Sequence, residues 1–189
     1  MQKLVTYFEK AGSENTPQSL DIAKKAIADF NYKHIVVAST TGSTGQLFAE
    51  ALKENNINLV VITHSHGFKE PNTSEFPDAV KEKIISSGAK VYTGTMITHN
   101  LETALAKNFS GVYPTLLVAQ TLRRFGEGPK VCCEIVMMAA DAGLIPEGEE
   151  IVAVAGTGRG ADTVAIIRSV TSKRFLDLKV LEILAKPRG

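Results

Sequence analysis

The sequence predicts an α/β fold: a three-layer sandwich on a mostly parallel sheet, closed by a C-terminal β-hairpin. Short apolar runs alternate with longer segments of helical periodicity, as in a parallel sheet with helices on its faces. The runs are apolar without alternation, which suits strands covered on both sides. Near the C-terminus, β-branched residues follow a glycine cluster where a dinucleotide fold would need a helix.

Each element has its own signal. The first strand is Leu4 to Phe8. Thr16 and Pro17 then open a helix, with Leu20, Ile22, Ala23, Ala26, Ile27 and Phe30 at helical spacing and an end near Asn31. His34 to Ala38 is a strand, and Leu47, Phe48, Ala51 and Leu52 mark the helix after it. Leu59 to Thr63 is the next strand. Val80, Ile84 and Ile85 mark a helix that Gly88 ends, and Lys90 to Thr93 follows as a strand. Tyr113 to Leu144 is helical twice, broken between Gly126 and Pro129. Ile151 to Ala155, Val164 to Val170 and Val180 to Ala185 complete the sheet. There is no internal repeat, low-complexity tract or linker, so residues 1–189 read as a single domain.

Composition excludes several classes. Lys plus Arg number 21 against 20 Asp plus Glu, with no basic block to displace the counterions of a nucleic acid. Trp is absent, and Phe and Tyr are too few for a base-stacking surface. No run approaches the roughly 18 apolar residues of a membrane span, and the first residues lack a secretory signal. Cys132 and Cys133 are adjacent and the only cysteines, so there is no disulfide framework. They read as two small buried thiols, and the expected compartment is the cytoplasm.

The most informative stretch is Ser39-Thr40-Thr41-Gly42-Ser43-Thr44-Gly45, between a buried strand and a helix. In an open α/β sheet ligands sit beyond the carboxyl ends of strands, where helix N-termini offer free N–H groups and a positive dipole end. Gly42 and Gly45 allow close backbone approach. The hydroxyls of Ser39, Thr41, Ser43 and Thr44 can donate to phosphate oxygens. One Ser or Thr would suffice for a simple helix cap. No Lys follows the glycine, so this is not a mononucleotide P-loop.

The second glycine loop is Gly156-Thr157-Gly158-Arg159-Gly160. Ala161 stands where the dinucleotide fingerprint needs its third glycine, so a strand–loop–strand hairpin is the better account. Arg159 at its tip can reach a phosphate with its planar fork, and Asp162 can orient Arg159 or cap a turn.

Together "VVASTTGSTGQLFAEALKENNINLVVITHS" and "GEEIVAVAGTGRGADTVAIIRSV" resemble the C-terminal α/β domain of pyruvate kinases, in order from about Thr16 to Val170. In many of those enzymes the domain binds a sugar bisphosphate effector. The hydroxyl loop grips one phosphate and the late glycine loop closes over the ligand. The resemblance therefore implies phosphate contacts at Ser39, Thr41, Gly42, Ser43 and Thr44, with Gly156 to Gly160 as cover. The catalytic barrel is absent from these 189 residues, so pyruvate kinase activity is not expected. The chain resembles free-standing archaeal and bacterial proteins built from this domain, and flavin mononucleotide (FMN) is the cofactor that this resemblance implies.

His64, Gly67 and Phe68 follow the third strand, and Thr95 and Met96 the fourth, at the same carboxyl edge. They are expected to wall a bound ring, with Phe68 as a lid. His64 and His66 lack a third ligand, so no metal is expected. His34 and His99 read as structural, and no catalytic residue can be assigned. The expected partner is a phosphorylated small molecule, with no nucleic acid and no membrane. A homo-oligomer is compatible with the sequence. Two alternatives remain: a non-catalytic sensor of a sugar phosphate, and an enzyme acting on a phosphorylated metabolite with His64 or His66 as acid or base.

Overall fold

In the computed structural model, which describes residues 2–189, seven strands form one sheet in the order β1-β7-β6-β5-β2-β3-β4. Along the chain the elements are β1 (Thr6–Phe8), α1 (Thr16–Phe30), β2 (His34–Ala38), α2 (Ser43–Leu52), β3 (Asn58–Thr63), α3 (Asp78–Ser86) and β4 (Lys90–Thr93). Then come α4 (Asn100–Ala106), α5 (Pro114–Leu122), α6 (Glu127–Asp141), β5 (Glu150–Ala155), β6 (Thr163–Arg168) and β7 (Lys179–Pro187). Every pairing is parallel except those that β6 makes with β5 and β7.

The continuous apolar runs have the cause expected of them. Successive residues of a strand point to opposite faces, and both faces are covered. Ile35 and Val37 of β2, Val152 and Val154 of β5, and Val164 and Ile166 of β6 enter one core with α1, α2 and α3. Their neighbours Val36, Ile151, Ala153, Ala155, Ala165 and Ile167 enter a second core with α6. These are the three layers.

Helix ends follow local chemistry. Pro17 lies in the first turn of α1, and Asn31 ends the helix in the left-handed region at φ 55°. Leu20, Ala23 and Ile27 are the buried stripe. Between α5 and α6 a short 3-10 turn, Arg123–Phe125, precedes Gly126, and α6 begins at Glu127, within the break expected between Gly126 and Pro129. Both cysteines lie inside α6 as buried thiols, and burial pushes the Cys133 thiol up to about 11.

Helix α4 has no counterpart in the sequence reading. Its only large apolar residues, Leu101 and Leu105, are both exposed, so there was no buried stripe to detect. Instead Glu102 accepts from the Thr115 and Leu116 N–H groups at 2.9 and 3.3 Å and from the Thr115 hydroxyl at 2.6 Å. That carboxylate caps α5. No helix among the described residues is long and apolar enough to cross a membrane.

Candidate functional site

β2 is flanked by β3 on one side and β5 on the other, all parallel, so the chain leaves β2 and β5 in opposite directions along the sheet. The crevice at such a switch point is the usual ligand position in open α/β sheets. A cavity of about 680 Å³ lies there. Loops after β2, β3, β4 and β5 wall it, together with the first turns of α1 and α2 and one side of α6.

The hydroxyl loop forms one end. Ser39 Oγ accepts from the Gly45 N–H at 3.1 Å, so this hydroxyl caps the third residue of α2. The Ser43 and Thr44 N–H groups, in the first turn of α2, have no acceptor among the described residues. Ser39, Thr40, Thr41, Ser43 and Thr44 all line the cavity. The two glycines do not; they let the loop pack. At Gly42 (φ 90°) a Cβ would lie 2.5 Å from Val80, and at Gly45 2.7 Å from Val61.

The late glycine loop stands opposite, with Gly156, Gly158, Arg159 and Gly160 on the wall and Thr157 off it. α1 anchors this loop. Thr16 Oγ1 accepts from the Ala161 N–H at 2.9 Å, and the Ser19 hydroxyl donates to the Ala161 carbonyl at 3.2 Å. Gly160 (φ 73°) leaves only 2.4 Å between a notional Cβ and Ser13. Asp162 caps turns: its carboxylate accepts from Gly12 N–H, Thr157 N–H and the Thr163 hydroxyl at 3.0, 3.1 and 3.0 Å. It makes no bond to Arg159, whose side chain has no acceptor among the described residues.

The loop after β3 brings His64 and Phe68 to the cavity, their rings 4.3 Å apart and tilted 46°. Gly67 serves only the turn, at φ 76°. His64 Nδ1 lies 2.8 Å from Glu75 Oε2, and its Nε2 is 3.5 Å from the Thr40 hydroxyl. Lys69 pairs with the other oxygen of Glu75 at 2.8 Å. Burial pushes the Glu75 carboxyl up, and the hydrogen bonds and charges of Lys69 and His64 outweigh that and hold it below the ordinary range. His66 faces a separate, smaller depression with Asp78 and Lys81, so the two histidines do not converge.

After β4, Met96 reaches the cavity and Thr95 does not. His99, which reads as structural in the sequence, is on the wall. The residues of α6 are the larger addition. Lys130 and Glu134, each 1% exposed, are bonded Nζ to Oε2 at 2.5 Å and form the cavity floor. Glu134 Oε1 accepts from both the N–H and the hydroxyl of Thr98 at 2.7 Å. Burial would raise the Glu134 pKa; His99, Lys130 and Thr98 outweigh it and hold the carboxyl at about 2. Burial lowers the Lys130 ammonium, against the opposing pull of Glu134. The signal available in the sequence was two charges four residues apart inside the otherwise apolar "KVCCEIVMMAA".

The site is therefore a cleft with an unsatisfied helix N-terminus at one side, a buried ion pair beneath, and Leu47, Met96, Ile135 and Met138 as apolar wall. Several solved structures are similar to this chain. Pyruvate kinase from Cryptosporidium parvum is similar at 18% identity over 85% of this chain and 23% of that one, with a TM-score of 0.42. The same enzyme solved in complex with ADP is similar at 19% identity over 80% and 24%, also at 0.42. A pyridoxal 5'-phosphate-dependent aspartate racemase is similar at 21% over 60% and 36%, at 0.34. Likenesses this distant speak to neither ligand nor activity. This chain spans about a quarter of the length of the pyruvate kinases it matches. A family model, "Pyruvate kinase, alpha/beta domain", matches residues 19–167, and the chain belongs to that family.

Proposed function

We infer that the cavity binds a small molecule through a phosphate group, and that FMN is its ligand. One observation carries the reading: Ser43 and Thr44, whose N–H groups have no acceptor among the described residues, line the cavity together with the hydroxyl-bearing Thr40 and Thr41. A helix start so arranged favours an anion. The volume, about 680 Å³, is within the range of sites for ligands of this size. Apolar side chains and the His64–Phe68 pair supply faces for a flat ring. Arg159 is near enough to the cavity to close on the phosphate with its loop.

The test compares FMN with riboflavin, which is the same molecule without the phosphate, by fluorescence anisotropy. Wild-type protein is expected to bind FMN at least about tenfold more tightly, the equivalent of one charge-assisted hydrogen bond. The preference should shrink when Thr41 and Thr44 are both replaced by Val. Equal affinity for the two flavins would remove the phosphate from the account.

A second reading has its own observation. His64, held by Glu75 at 2.8 Å with its second nitrogen facing Thr40, has the arrangement of a positioned acid or base. In that case the protein turns over a phosphorylated metabolite, and His64→Ala should keep the ligand while losing turnover. A colourless protein that binds a sugar phosphate without turnover would instead be a sensor.

A further inference from the structure

α6 reaches the cavity from the layer opposite α2, and the two helices approach the ligand space from the two faces of the sheet. Lys130, Val131, Glu134, Ile135 and Met138 line the cavity at helical spacing. The charged pair among them is not explained by the fold alone. Holding the Thr98 loop requires an acceptor at position 134, which an uncharged Gln would supply. Burying two charges is costly, and an apolar pair of similar volume is often as stable or more so. Lys130 also sits in the first turn of α6, the end of a helix where the dipole opposes a cation.

The hydrogen bonds show what is left over. Both oxygens of Glu134 are engaged within the protein, two bonds from Thr98 on one and Lys130 on the other. The ammonium has three N–H bonds. Among the described residues they meet Glu134 at 2.5 Å and His99 Nδ1 at a long 3.4 Å. A third N–H has no acceptor, in a side chain that is 1% exposed and borders the cavity.

We propose that Lys130 is the second recognition point of the cavity, donating to a carbonyl oxygen on the ring of the bound ligand. This rests on the phosphate-binding reading and narrows it to a phosphorylated heterocycle that carries an exocyclic carbonyl, as the flavin ring does. Phosphate is held from the α2 side, the ring carbonyl from the α6 side. Glu134 positions the ammonium and is not itself a ligand contact.

The experiment uses the whole chain and two probes: FMN, and ribitol 5-phosphate, which keeps the phosphate arm of FMN and lacks its ring. Lys130→Met alone would strand a buried carboxylate, so the test variant is the double Lys130→Met, Glu134→Gln, with Glu134→Gln alone as control. The double variant is expected to lose roughly ten- to hundredfold in FMN affinity, the range for a hydrogen bond to a charged group, and to bind ribitol 5-phosphate as wild type does. Saturated with FMN, its infrared difference spectrum should show a flavin carbonyl stretch moved to higher frequency, a shift that a purely structural role would not produce. FMN affinity unchanged in the double variant overturns the proposal. A loss of ribitol 5-phosphate affinity equal to the loss of FMN affinity in the double variant also overturns it, because the effect then belongs to the shape of the cleft. Wild-type protein that binds ribitol 5-phosphate as tightly as FMN overturns this proposal alone. Protein that binds neither probe overturns the phosphate reading with it.

Discussion

At the scale of single residues, the site divides into groups that are spent on the fold and groups that are not. Ser39 serves the fold: its hydroxyl accepts from the Gly45 N–H and keeps its own proton to donate. Ser39→Ala should therefore destabilise the protein by about 1 kcal/mol in denaturant unfolding, the typical value of such a cap. Glu134 offers a pH test. Its carboxyl is held at about 2 in the folded protein, well below its ordinary value of 4.5. A carboxyl lowered on folding contributes stability that is complete above its unfolded pKa and lost as pH falls through the folded one. Melting temperature should thus fall as pH drops from about 4.5 toward 2, and Glu134→Gln should flatten that part of the profile. Gly160 is fixed by its positive φ and by Ser13 at its back. Gly160→Ala is expected to cost more than about 1 kcal/mol and to loosen the covering loop, read as faster proteolysis there.

At the scale of elements, the strands and the long helices were legible because each carries its own pattern. β2, β3 and β5 are apolar on both faces and bounded by turns, and the hairpin of β5 and β6 could be told from a dinucleotide motif by Val164, Ile166 and Ile167. Helix α4 was not legible because it has no buried stripe of its own, and its Glu102 caps a neighbour. The role of α2 depends on how closely it lies on the sheet. A Cβ at Gly45 would meet Val61 at 2.7 Å and Ile84 at 3.2 Å, both in the core. Gly45→Ala should lift the start of α2 and cost roughly 1–3 kcal/mol by overpacking. It should also weaken anion binding, although Gly45 touches no ligand space itself. Calorimetric titration with inorganic phosphate, beside a denaturant melt, separates the two effects.

At the scale of the whole molecule, the parallel arrangement of β2, β3, β4 and β5 delivers four loops to one edge of the sheet. That explains which part of the site sequence alone could give. The hydroxyl loop announced itself because its residues are consecutive, and the glycine loop because its spacing is unusual. Lys130, Glu134 and His99 come from segments about ninety and sixty residues further along, and their meeting depends on α6 packing across β5, β6 and β2. No local pattern records that crossing. Thr95, Gly67 and Thr157 illustrate the opposite case: neighbours of wall residues in sequence, they do not line the cavity. The resulting cleft has hydroxyl groups and a helix N-terminus on one layer and a buried cation on the other, a division suited to the proposed ligand with a phosphate at one end and a polar ring at the other.

The most direct measurement is the visible spectrum of the protein after it has been equilibrated with excess FMN and passed through a desalting column. The account predicts a flavin absorption band that elutes with the protein at about one flavin per chain, and its loss when Thr41 and Thr44 are replaced by Val. Protein that emerges colourless, with all the flavin in the salt fraction, would contradict it and leave the hydroxyl loop as the cap of a helix.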